Sequence, residues 1–138
     1  MLEADWSMHA YLRATQKTEV VALCDINPEA LERSRQAIGL SKSRCFRDYD
    51  EFLRKTDLDI VFIGTSIPFH AEQAVKVMEH GRHVLSEVTA ANTVENCKRL
   101  VRTLKKTGMK YMLAENACYL HYIYEWTRII REGRLGKI

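Results

Sequence analysis

The run from Asp59 to Val88, DIVFIGTSIPFHAEQAVKVMEHGRHVLSEV, restricts the chain to few folds. Ile60-Val61-Phe62-Ile63 is a short apolar run rich in β-branched residues, closed by Gly64. That pattern predicts a strand buried on both faces, as in a parallel sheet. Thr65 to His70 then forms a polar turn, whose Pro68 suits the first turn of a helix. Ala71, Ala74, Val75 and Met78 recur at helical spacing and give one apolar face. Gly81 is placed to end that helix. His83-Val84-Leu85 opens the next strand, which Ser86-Glu87-Val88 closes. The segment reads as one βαβ unit. Its two strand-end loops, Thr65–His70 and Glu87–Ala91, should lie side by side on the carboxyl rim, where open parallel sheets bind ligands.

The flanking sequence repeats the alternation. Met1 to Gln16 reads as a helix with Leu2, Trp6, Ala10 and Leu12 on its apolar side. Glu19 to Cys24 reads as a second buried strand. Asn27-Pro28-Glu29 is a helix start: Asn27 caps, Pro28 occupies the first position, and Glu29 faces the positive end of the dipole. Leu31, Ser34 and Ile38 continue that helix and Gly39 ends it. Arg44-Cys45-Phe46 reads as a short strand and Asp50–Arg54 as a helical turn or two. Asn92 followed three positions on by Glu95 suggests a capping box. The stripe Val94, Cys97, Leu100, Val101 and Leu104 predicts a helix ended by Gly108. Lys110–Ala114 reads as a strand. Tyr119–Arg131 reads as a last helix, with Ile123, Trp126 and Ile130 facing inward. The expected class is α/β, a doubly wound parallel sheet of Rossmann type.

Composition narrows the partners. The 138 residues suit one domain, and 46% hydrophobic with 28% charged residues is ordinary for a globular protein. A net charge of +3 without a basic stripe argues against nucleic acid. No apolar run is long enough to cross a bilayer. The four cysteines, Cys24, Cys45, Cys97 and Cys118, form no CxxC pair. Buried reduced thiols in a cytoplasmic protein, with no metal site, are therefore expected.

The candidate chemistry gathers at strand ends. Asp25 ends the strand before Asn27-Pro28. In a dinucleotide-binding fold, an acid there accepts hydrogen bonds from the adenosine ribose and repels a 2′-phosphate, which favours NAD over NADP. The same aspartate could equally begin a turn. Thr65 and Ser66 offer hydroxyls and amides to the rim. His70 is a cap or packing residue at a helix start, or a catalyst. Glu87 ends a buried-type strand, where a carboxylate needs a partner, a ligand or solvent. Glu115-Asn116 follows the last strand and should reach the same rim.

Several stretches in this order resemble the Gfo/Idh/MocA oxidoreductases. They are Glu19–Asp25, Asp25-Ile26-Asn27-Pro28, Asp57–Val61, Pro68-x-His70, Gly81–Glu87 and Gly133–Ile138. The likeness extends over nearly the whole chain from about His9. It implies a Rossmann domain followed by an α/β substrate domain, and hydride transfer between a nicotinamide cofactor and a sugar, polyol or related small molecule. By that resemblance Asp25 and Ile26 would hold the adenosine end of NAD. Thr65, Ser66, Pro68 and His70 would line the cofactor groove. Glu87 and Asn116 would sit near the nicotinamide. A homo-oligomer stays open as the whole protein's arrangement.

The chain departs from the family pattern at three places. No G-x-G-x-x-G occurs, and the corresponding positions fall near Met1, Glu3 and Trp6. The family's first strand has no counterpart, so a gap is expected between Glu19–Cys24 and Asp59–Ile63. Residues 1–138 accordingly read as one incomplete nucleotide-binding domain, and the last residues match the point where the family hands over to its substrate domain. Where the family carries Glu-Lys-Pro, this chain has Glu87-Val88-Thr89, and valine cannot do the proton-handling or substrate-orienting work of that lysine. A branch with Glu-Val-Pro and Glu-Asn-x-x-Tyr, as in Glu115-Asn116-Ala117-Cys118-Tyr119, is closer. It includes glycosidases that oxidise the sugar transiently with bound NAD, eliminate the aglycone and reduce the sugar again. Net oxidoreduction, NAD-dependent glycoside hydrolysis and a non-catalytic chain, either a degenerate fragment or an interaction module, are the three readings.

Overall fold

A computed structural model describes residues 17–137. The helix expected over Met1–Gln16 lies outside them. The chain forms two compact units, one ending at Leu58 and the other beginning at Asp59.

The first unit is built on two parallel strands. β1 (Leu23–Cys24) pairs with β2 (Cys45–Phe46), Leu23 opposite Cys45 and Cys24 opposite Phe46. The strand expected over Glu19–Cys24 is thus confined to its last two residues, because Glu19 to Ala22 have no ladder partner among the described residues. Between the strands runs α1 (Pro28–Ile38). Asn27 caps it, its Oδ1 accepting from the amides of Glu29 at 2.9 Å and Ala30 at 3.3 Å. Gly39 ends it in the left-handed region at φ 83°, which costs a residue without a Cβ nothing. α2 (Tyr49–Lys55) is capped by Asp48, whose Oδ1 accepts from the Glu51 amide at 2.6 Å. Leu31, Ile38, Phe46, Phe52 and Leu53 make the core, with the rings of Phe46 and Phe52 edge to face at 5.8 Å.

The second unit carries the βαβ motif. β3 (Ile60–Ile63), β4 (His83–Ser86) and β5 (Tyr111–Leu113) form one parallel sheet in that order. Ile63 stands opposite Ser86, and Ser86 opposite Leu113. Among the described residues the strands form two sheets, one in each unit. α3 (Ile67–Glu79) connects β3 to β4 and buries His70, Ala71, Ala74, Val75, Val77 and Met78. α4 (Val94–Thr107) follows, then β5, a 3₁₀ turn (Asn116–Tyr119) and α5 (His121–Arg131). α3 packs against α4, β3 and β4.

Several sequence expectations are corrected. β3 is not buried on both faces: Val61 and Ile63 are buried, while Ile60 is exposed and Phe62 half-buried. The other face of the sheet, carried by Phe62, Leu85 and Met112, stays partly open. In α4 the buried residues are Leu100 and Thr103, and Val94 and Val101 face solvent. The cap of α4 is Thr93, not Asn92; its hydroxyl accepts from the Asn96 amide at 3.1 Å, and Glu95 pairs instead with Arg102. Trp126 and Ile130 do not face inward, because α5 packs chiefly on the 3₁₀ turn that leads into it. The four cysteines are free, but Cys97 and Cys118 are exposed rather than buried.

Candidate functional site at the strand ends

Each unit presents its strand-end loops as a separate set. In the first, the Asp25 amide donates to the Phe46 carbonyl at 3.1 Å, extending the β1–β2 register by one residue. That bond brings the residue after β1 beside the end of β2. The Asp25 carboxylate accepts from the Asn27 amide through Oδ1 at 2.8 Å. The turn reading and the ligand reading of Asp25 are therefore compatible: one oxygen shapes the turn and the second has no protein donor among the described residues. Ile26 next to it is 82% exposed, an apolar side chain with no packing role of its own in this unit. Arg47, from the end of β2, donates through Nη2 to the Ile26 carbonyl at 3.2 Å. Behind the loop, burial pushes the Cys24 thiol up to about 11, and the carboxylates of Asp25 and Asp48 add to the rise.

In the second unit the parallel register lines up three strand ends. The Glu87 amide donates to the Ile63 carbonyl at 2.9 Å, and the Ala114 amide to the Ser86 carbonyl at 2.7 Å. Gly64, Glu87 and Ala114 therefore leave the sheet side by side, about 4.8 Å apart across neighbouring strands. Beyond them the Thr65 hydroxyl donates to Gln73 Oε1 at 2.6 Å, which ties the first loop to α3. Ser66 is the N-cap of α3, yet its hydroxyl makes no capping bond and is exposed. Pro68 occupies the first turn of α3 as expected. Glu87 is half-buried, and its carboxylate takes no hydrogen bond or ion pair among the described residues. The loop continues through a cis peptide between Val88 and Thr89. Glu115 spends one oxygen on the Ala117 amide at 2.8 Å, capping the 3₁₀ turn, while Asn116 is exposed.

His70 is the residue that binds these loops together. Its ring is 1% exposed, with Nδ1 2.8 Å from the Thr89 carbonyl oxygen and Nε2 2.7 Å from that of Thr65. The two loops do lie side by side, and the imidazole is the brace between them. Both ring nitrogens are committed to backbone, so His70 supports the lining of the rim rather than forming its surface. The sequence placed it at a helix start but gave no sign of its partners, 5 and 19 residues away.

The arrangement can accept and donate hydrogen bonds along a strand-end rim, and it holds no metal-binding cluster among the described residues. No described helix is long and apolar enough to cross a membrane.

Comparison with known proteins gives a consistent picture. Residues 4–115 match the family model described as "Oxidoreductase family, NAD-binding Rossmann fold", GFO_IDH_MocA. The chain is 32% identical over 128 residues to the glycosyl hydrolase family 109 protein 1 of Bacteroides thetaiotaomicron, covering 88% of this chain and 27% of that protein. It is 34% identical to the α-N-acetylgalactosaminidase of Bacteroides fragilis, covering 96% of this chain and 32% of that one. The WlbA dehydrogenase of Bordetella pertussis, solved in complex with NADH and UDP-GlcNAcA, superposes with a TM-score of 0.84 at 29% identity, over 94% of this chain and 37% of that one. The chain thus spans about a third or less of the length of the curated relatives it matches.

Proposed function

The chain belongs to the Gfo/Idh/MocA oxidoreductases, with their NAD-binding Rossmann fold, and from that premise we propose that it supplies the cofactor-holding half of an enzyme that moves hydride to and from a carbohydrate. The observation that carries the reading is the rim on which Gly64, Glu87 and Ala114 leave the sheet in register. Each unit offers residues suited to one part of a dinucleotide. Asp25 keeps a carboxylate oxygen for a ribose hydroxyl, and the exposed Ile26 offers an apolar surface to a base. Thr65, Ser66 and Pro68 line the groove, braced by His70. Bound NAD supplies the hydride acceptor. Glu87 and Asn116 orient what lies at the nicotinamide end through their free polar atoms. Val88 neither takes nor gives a proton, so the acid–base group of the reaction comes from elsewhere in the protein.

A second reading, NAD-dependent glycoside hydrolysis, is favoured by one observation. The relatives at 30–34% identity carry glycosyl hydrolase family 109 or α-N-acetylgalactosaminidase names. Glu87-Val88 and Glu115-Asn116-Ala117-Cys118-Tyr119 fit that branch.

Titration calorimetry with NAD and NADH, with circular dichroism on the same sample, tests the cofactor half. Saturable binding that Asp25→Ala weakens supports it. A folded protein that binds neither would leave the interaction-module reading. Incubating the whole protein with a chromogenic α-N-acetylgalactosaminide and NAD separates the two chemistries. Aglycone release without lasting absorbance at 340 nm marks the glycosidase; net NADH accumulation from a free sugar marks the dehydrogenase.

A further inference from the structure

We propose that the outward face of α4 is a docking surface for an acidic amphipathic helix of another protein, which meets the cations of that face on either side of Val94 and Val101. The inference concerns the second unit alone and does not rest on the cofactor reading.

Helix geometry assembles the face. α4 turns Leu100 and Thr103 inward and packs on α3. Its outer ridge then carries Val94, Lys98, Val101 and Lys105, spaced by fours and threes along one side of a helix. Arg102 and Lys106 flank that ridge, and all six residues are exposed. No acidic residue occurs from Asn96 to Ala114, so the chain's small net charge conceals the patch.

Two observations separate this face from an ordinary solvated helix side. The first is its charge. The other helices set opposite charges one turn apart: Glu32 with Arg35 on α1, Glu51 with Lys55 on α2, Glu72 with Lys76 on α3, and Glu125 with Arg128 on α5. On α4, Lys98 and Arg102 stand four residues apart with like charge, as do Arg102 and Lys106, an arrangement that weakens a helix. Glu95, the helix's own carboxylate, pairs with Arg102. Lys98, Lys105 and Lys106 make no ion pair among the described residues. Lys105 and Lys106 are favoured by the negative end of the helix dipole, but Lys98 and Arg102 lie before the last turn. An acidic partner relieves a repulsion that the chain itself leaves in place.

The second is the apolar surface set among those charges. Val94 is 72% and Val101 52% exposed. They stand seven residues apart, the repeat at which a partner helix meets the same side again. A nucleic-acid backbone would take the cations and leave the valines without a role. A lipid surface calls for larger anchors, such as Trp, Phe or Leu, on a helix whose apolar side is free, whereas that side of α4 is packed on α3. An acidic helix with an apolar stripe answers both features. Its aliphatic side chains cover the valines, and carboxylates on each flank meet the cations. The 14 residues of α4 offer about 21 Å of contact.

The test is fluorescence anisotropy of a labelled three-heptad peptide, with Leu on one stripe and Glu flanking it, titrated with protein that melts cooperatively by circular dichroism. Binding should saturate, and should weaken by about tenfold or more between about 50 mM and about 300 mM salt. Lys98→Glu with Lys105→Glu should weaken it by about tenfold or more. Lys42→Glu with Arg44→Glu, the same change of net charge on the first unit, should leave it within about threefold. Val94→Ser with Val101→Ser should weaken it by about fivefold or more. Every substituted side chain is exposed, so all variants should keep the wild-type melt. Equal losses in the two charge-reversal variants would overturn the proposal, because net charge alone would then account for binding. Unchanged affinity in the valine variant would overturn it as well, as would tighter binding of duplex DNA or phosphatidylserine vesicles than of the peptide, or no binding of the peptide at all.

Discussion

The His70 ring holds the carbonyl oxygens of Thr65 and Thr89 at 2.7 and 2.8 Å, joining the loops after β3 and β4 through one buried side chain. With one N–H the ring donates to one carbonyl; with both it donates to both. Removing it leaves a cavity and takes the shared partner from two loop carbonyls. His70→Ala should cost about 2–4 kcal/mol in urea denaturation. It should also weaken NAD binding, because both rim loops lose their common support. A variant as stable as wild type would show the two loops to be held by other contacts.

Asp25, proposed above to hold the adenosine ribose, gives a complementary result. Asp25 is exposed, and its one protein bond is the local turn to the Asn27 amide. Asp25→Ala should therefore change stability by about 1 kcal/mol or less, yet lower NAD affinity by about tenfold. Calorimetry and thermal melts on the same preparation check both halves. Unchanged affinity would remove Asp25 from the site.

Much of this arrangement was legible in the sequence because it depends on local chemistry. Asn27, Pro28 and Gly39 mark the ends of α1 through bonds that span a few residues. The β3–α3–β4 unit follows from an apolar run, a helical stripe and a second run. Other features need tertiary partners. Arg47 meets Ile26 across 21 residues because β1 and β2 pair. The composition of a stripe names apolar residues but not the neighbour they will meet, so Val94 and Val101 share a stripe with Leu100 yet stay exposed while Leu100 enters the core.

That last distinction can be measured. Leu100 is 7% exposed and Val101 52%. Leu100→Ala should destabilise by about 2–4 kcal/mol, and Val101→Ala by no more than about 0.5 kcal/mol. Comparable losses at both positions would mean that the outer side of α4 is covered in solution.

The start of the same helix separates two caps one residue apart. Thr93 accepts from the Asn96 amide at 3.1 Å, whereas Asn92 receives only the exposed Asn96 side-chain amide, also at 3.1 Å. Thr93→Ala should cost about 1 kcal/mol and Asn92→Ala less than about 0.5 kcal/mol. Urea midpoints rank the pair, and the reverse order would restore the capping box expected from Asn92 and Glu95.

The thiols provide a readout of the first unit that needs no ligand. Cys24 is half-buried and its thiol is pushed up to about 11, first by burial and then by Asp25 and Asp48, while Cys97 and Cys118 are exposed. A thiol reagent at pH 8 should modify Cys97 and Cys118 first and Cys24 last, because the thiolate is the attacking form. The same shift sets a pH dependence. The folded state holds the Cys24 proton more tightly than the unfolded chain, whose thiol titrates near 9.0. Its contribution to stability is full below that pH and is lost as pH rises from about 9 through about 11. Urea midpoints at pH 8 and pH 10 should fall in the wild type and fall less in Cys24→Ala. Asp25→Asn removes one of the two carboxylates and should speed Cys24 labelling, with Cys97 as the internal standard. Equal labelling rates at Cys24 and Cys97 would mean that the Asp25 loop opens faster than the reagent reacts.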